Sequence, residues 1–295
     1  MALNQLEYLI HGNILPMTIS RHRMSERLVI EKVFGDGYQD STWGEHVGHV
    51  KAFVGVESDG TAKHFIQAER YLTLFLHLYT LLGGQPYVVF RSFGTPIEDY
   101  ANLGERSAGH PTHQPIKYIG EPLPNDVRYV SRLKALFQQV ESNYENITDS
   151  PLGLAMQFFY DAVMSNHRGR LALAVVHFMI AAEALVIIGE ESKRQNVSRR
   201  ISALFSVTPD EYETVYRNMK ALYDVRSGIV HGGGKKTTPL EVGRLFQYLR
   251  KSLLERLSLR GLSKLDLVEK LDKISGEWDL KTELEQLRQF DWQKL

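Results

Sequence analysis

The stretch from Leu171 to Gly189, LALAVVHFMIAAEALVIIG, constrains this chain more than any other. An apolar run near the ~18-residue threshold has two physical outlets, a bilayer or a protein interior. His177 and Glu183 lie inside it, and an ionisable group at mid-bilayer depth is costly. The run is therefore expected to be the central buried helix of a bundle. It is apolar nearly all round, and Ala172, Ala174, Ala181, Ala182 and Ala184 would let neighbours approach closely.

The sequence changes character along its length. Eight of the ten prolines fall before residue 152. There the chain offers short β-type runs between turn residues, at 7–10, 27–34, 49–57, 86–93 and 115–120. A single helix, 62–82, interrupts them and stops at Gly83-Gly84. Beyond residue 126 helical signals dominate. Ser150-Pro151, Thr208-Pro209 and Thr238-Pro239 each place a capping residue ahead of a first-turn proline, and Glu211 and Glu241 complete capping boxes for the latter two. Helices are expected over 127–147, 151–166, 170–189, 192–206, 209–231, 239–258, 263–274 and 279–290. The expected fold is thus an α+β N-terminal domain, 1–148, followed by an all-α helical bundle, 149–295, divided at the polar stretch 146–150.

Composition narrows the chemistry. Lys plus Arg and Asp plus Glu are both 35, so no global charge advertises nucleic acid or membrane. The absence of cysteine excludes disulfides, thiolate nucleophiles, thiolate zinc sites and iron–sulfur clusters. MALNQLEYLIHGNILP carries no basic region before its apolar residues, so a signal peptide is not expected and a cytoplasmic location is. His46-x2-His49 and His110-x2-His113 have two-ligand spacing, but no acidic cluster completes either one. No metal, cofactor or membrane partner is expected.

The segment with most chemistry in it is ALYDVRSGIVHGGG, 221–234. Arg226 and His231 are five apart, about 140° round an ideal helix, so a cleft would have to gather them. The glycine run ends the helix just after His231, whose imidazolium the negative end of the helix dipole favours. A proton carrier beside a permanent guanidinium suits phosphodiester chemistry. Between residues 192 and 264 the chain has 15 Lys/Arg against 6 Asp/Glu, a local excess that fits a polyanion. Arg199, Arg200, Lys235, Lys236 and Arg244 are the expected contacts to the phosphates of such a polyanion, RNA on the resemblance that follows. Arg226 and His231 could equally cap a helix and pair with a carboxylate such as Glu183 or Asp224.

RSGIVHGG preceded by LYDV resembles the motif of HEPN domains, specifically the Apea-like branch. The resemblance extends back through AAEALVIIGEE, VSRRISALF and TPDEYETVYRNMKALYDV and covers roughly 151–260, leaving 1–148 unexplained. It implies a helical domain that pairs into a homodimer, with Arg226 and His231 of both protomers facing one cleft. It also implies a metal-independent endoribonuclease, of the kind used as toxin or antiviral defence effectors, in which a ribose 2′-hydroxyl attacks its own phosphate; DNA would not be a substrate. On that resemblance His231 is acid or base, Arg226 clamps the phosphate, Ser227 is a minor polar helper and Glu183 positions Arg226. Some members keep the fold as silent binding modules. A subset carries Tyr two residues after the His as the target of a nucleotidyltransferase; Gly233 stands there, so such a partner is not expected.

Overall fold

The computed structural model describes residues 3–11, 21–24, 28–32, 49–57, 63–83, 88–92, 127–232, 236–292 and 294. They are mostly helical and form two compact units, one holding the described residues up to Glu145 and the other those from Asn146 onward. Among the described residues, no helix is long and apolar enough to cross a membrane.

In the first unit, strands β1 (Leu3–His11), β2 (Arg21–Arg23), β3 (Leu28–Lys32), β4 (His49–Glu57) and β5 (Val88–Ser92) form one antiparallel sheet in the order β2-β3-β4-β1-β5. Register runs from Leu3 opposite Glu57 to His11 opposite His49, and from Glu7 opposite Ser92 to His11 opposite Val88. The run at 115–120 falls outside the described residues, as do His46, His110, His113 and the side chain of His49. Helix α1 (Lys63–Leu81) buries Phe75 against Phe137 of α2 (Val127–Val140), their rings meeting edge to face. The helix expected over 127–147 is broken by a 3-10 turn, Glu141–Asn143, before α3 (Tyr144–Thr148). The Glu141 carboxylate there accepts a hydrogen bond from Tyr71, 70 residues earlier, and Asn143 donates to Ser142.

The second unit is all helix: α4 (Pro151–His167), α5 (Leu171–Val186), α6 (Lys193–Phe205), α7 (Pro209–Val230), α8 (Pro239–Ser258), α9 (Lys264–Ile274) and α10 (Leu280–Gln286). Helix α4 starts at Ser150, whose hydroxyl accepts from Gly153 N. Gly153 is obligatory, because a Cβ there would stand 2.2 Å from the Ile147 carbonyl oxygen. The capping box at Thr238 is complete. At Thr208 it is not: Glu211 accepts from Val207 N instead, one residue earlier.

Helix α5 packs against α4, α6, α7 and α8, yet its apolarity does not translate into burial on all sides. Ala174, Val175, Phe178, Met179, Ala181, Ala182, Leu185 and Val186 are buried, whereas Leu173 is 39% exposed and Val176, His177, Ile180 and Ala184 are only half-buried. The helix also stops at Val186, three residues short of the apolar run's end. Ile187 is extended, and Gly189 takes φ 60°, which suits glycine.

Two buried cations close helix ends. Lys281, 4% exposed, donates from Nζ to the Ala203 and Leu204 carbonyls in the last turn of α6, at 2.8 and 2.7 Å. Arg256 does the same for Leu259 and Leu262 beyond α8. Those carbonyls have no partner within the helix. Burial holds the Lys281 ammonium down to a pKa of about 8, although Glu255 and Glu285 pull it the other way. The unfolded chain therefore holds this proton more tightly than the folded one, and the group adds stability as pH rises from about 8 towards its unfolded value near 10.5. Lys281→Met should remove that rise and, by stranding two carbonyls, lower stability by about 1–3 kcal/mol. Urea unfolding of both proteins at pH 7 and pH 10 checks it; equal pH slopes would show that Lys281 is not the titrating group.

Candidate active site

Helix α7 faces the core with Val215, Met219, Leu222, Tyr223 and Val225. Arg226 follows on the edge of that face, its side chain 22% exposed, and its guanidinium carbon lies 5.6 Å from the Tyr223 ring centroid. Opposite, on α5, stands Glu183. An acid inside an apolar helix needs partners, and three groups converge on this one. Tyr223 donates its hydroxyl to Oε1 at 3.0 Å, Arg226 Nη2 lies 3.7 Å from the same oxygen, and Lys193 donates from Nζ to Oε2 at 3.0 Å. The Arg226 contact is an ion pair too long to be a hydrogen bond. Arg226 Nε is buried with no hydrogen-bond partner. The guanidinium is thus held in place at the edge of the core, with part of its side chain open to solvent.

Burial, with the adjacent Glu183 carboxylate, pushes the Tyr223 hydroxyl up to about 12, so it remains a donor at neutral pH. Tyr223→Phe should remove a hydrogen bond to a charged acceptor and lower stability by about 1.5–3 kcal/mol. Thermal unfolding reads this, and an unchanged midpoint would mean that Lys193 and Arg226 suffice to hold Glu183.

His231 is the C-cap of α7 and is exposed; its backbone N–H donates to the Ser227 carbonyl at 3.0 Å, and Gly232 follows with φ 74°. Ser227 is half-buried on the same helix. Arg226 and Glu183 are brought together across two helices, while His231 stands a turn further on, at the helix end. Asp224 is turned away from this cluster and is held by a two-pronged contact from Arg194 at 2.6 and 2.7 Å.

The expected RNA contacts separate. Lys236 and Arg244 are exposed, and Lys235 lies outside the described residues. Arg200 requires correction as a surface contact. Its side chain is 5% exposed and ion-paired with Glu191 and Asp272, and Nη1 donates to the Val186 carbonyl at 2.8 Å. A guanidinium so enclosed has no face for a phosphate. Arg199 also pairs with Asp272, at 2.8 Å. Sequence reasoning passed over Tyr223 and Lys193 as site residues. The Tyr223–Arg226 spacing of one helical turn was a usable signal. Lys193 left none, since only the packing of α5 against α6 brings it to Glu183. No family model, curated protein or solved structure matches the chain.

Proposed function

We propose that the helical unit is a metal-independent endoribonuclease of the HEPN type, acting as a homodimer on RNA, with the N-terminal α+β domain sensing or restraining it in a cytoplasmic defence or toxin setting. The observation that carries this reading is Arg226: it is held by Glu183 and lies over the Tyr223 ring, yet its side chain remains 22% exposed. An exposed His231 stands at the end of the same helix. A fixed guanidinium can hold a phosphate while charge develops on it, and a nearby imidazole can move protons. The 2′-hydroxyl oxygen would bond to the adjacent phosphorus and the bond to the 5′-oxygen would break, leaving a cyclic phosphate and a 5′-hydroxyl. Protons leave the first oxygen and reach the second.

Purified protein incubated with total RNA in EDTA should generate ends of that kind, with cleavage falling as salt rises. Cleavage of DNA at a similar rate would overturn the reading, because DNA lacks the attacking hydroxyl. A second reading, a silent interaction module, draws on one observation: Glu183 already engages Tyr223, Arg226 and Lys193, as a purely structural ion-pair cluster would. That reading requires RNA to remain intact.

A further inference from the structure

Helix α6 opens in a way that its own electrostatics disfavours. Its first turn carries Lys193 and Arg194 and no acid, although the amino end of a helix is its positive pole. Ser192, the N-cap, makes no side-chain bond to the first-turn amides, so no capping oxygen offsets that pole. Both cations are matched from other helices, Arg194 by Asp224 of α7 and Lys193 by Glu183 of α5. The two matches differ. Arg194 and Asp224 are one cation and one acid joined by two bonds, and they neutralise each other. Glu183 has Arg226 to answer as well.

Two cations therefore share one carboxylate, with Lys193 Nζ 3.0 Å from Oε2 and Arg226 Nη2 3.7 Å from Oε1. Burial and the same carboxylate keep the hydroxyl of Tyr223, its third partner, protonated and neutral. Glu191 is engaged by Arg200, and Glu190 forms an ion pair with neither cation. The cluster is left with one positive charge, beside the positive pole of α6. Both cationic side chains reach solvent, Lys193 at 48% and Arg226 at 22% exposure, so that charge is open to a ligand. A phosphodiester carries one negative charge and has two non-bridging oxygens, one for each cation. An ammonium meets phosphate as a point charge and a guanidinium as a planar fork.

We propose that Lys193 is a second phosphate-binding residue, which with Arg226 clamps one RNA phosphate while Glu183 braces both cations. The inference deepens the proposed nuclease and rests on that reading for its ligand. With Arg226 alone, Glu183 would cancel the charge that the phosphate needs; Lys193 restores it from within the same chain.

The probe is a fluorescent single-stranded 2′-O-methyl RNA, which lacks the attacking hydroxyl and stays intact. Its affinity for the full chain is read by anisotropy over a range of salt. Each phosphate contact steepens the fall of log affinity with log salt by about 0.7 for a single strand. Lys193→Gln and Arg226→Gln should each lower the slope by about that much, whereas Lys193→Arg should keep it. Lys273→Gln should keep it too, because Lys273 is an exposed lysine paired with Glu269 on α9. Lys193 is half exposed, so Lys193→Gln should retain the wild-type thermal midpoint. On saturating cleavable RNA, Lys193→Gln should slow single-turnover cleavage about 10²-fold, as loss of one donor to a developing charge does. A wild-type slope in Lys193→Gln, or an equal loss of slope in Lys273→Gln, overturns the proposal and leaves Lys193–Glu183 a surface ion pair. Full cleavage by Lys193→Gln sinks the clamp and spares the nuclease. A lowered slope with RNA left uncut by the wild type sinks the nuclease and spares the clamp, and a wild type that does not bind the probe at low salt sinks both.

Discussion

His231→Ala is expected to lower RNA cleavage by about 10²–10⁴-fold, the range typical of losing a general acid or base, without loss of folded structure. The side chain is exposed, and the cap it occupies depends on backbone bonds, His231 N to Ser227 O and Gly232 N to Ile229 O, which alanine keeps. Arg226→Lys is expected to fail as well. Lysine can retain an ion pair with Glu183, but it lacks the planar fork that holds two phosphate oxygens at once. Single-turnover cleavage of a defined RNA, alongside circular dichroism, separates chemistry from folding. Wild-type activity in His231→Ala would remove the proton carrier from the mechanism, and with it the proposed reaction.

Arg200→Ala is expected to cost about 3–5 kcal/mol of stability, as breaking a buried ion pair on one side does. It would leave Glu191 without its cation, Asp272 with Arg199 alone, and the Val186 carbonyl without its donor. Those two carboxylates are 22% and 33% exposed, so water recovers part of the loss and the lower end of that range applies. Urea unfolding of the two proteins is the measurement. An RNA contact would behave in the opposite way, with unaltered stability and weaker RNA binding. A midpoint within error of wild type would return Arg200 to the binding surface.

Arg200 also shows where sequence reasoning stops. In the sequence it is one of two adjacent arginines on a basic stretch, indistinguishable from a surface contact. Its partners are Glu191, across a loop, and Asp272, on a helix 72 residues away. Glu255 is similar: it is 1% exposed and accepts from Arg288 and Trp292, a clasp on the C-terminal segment that no local pattern announces. Long-range ion pairs leave no periodic trace, because either partner would read the same in a solvated helix.

What the sequence determined by itself is what depends on neighbours along the chain. Thr238-Pro239 and Glu241 specify a helix start from four consecutive residues. The long apolar run of α5 and the glycines after His231 specify a helix and a helix end. The exchange of partner at Thr208, where Glu211 reaches Val207, shows that even such local bonds shift by a residue once the loop has a shape. What only the tertiary structure decided is which face of each helix is covered and which charge meets which. The largely apolar run at 171–189 could not disclose that half its surface stays partly open, nor could Glu183 disclose Tyr223, Arg226 and Lys193 around it. Helical period sets how side chains are spaced around an axis. The direction that axis turns toward its neighbours comes from burying the whole set of helices at once.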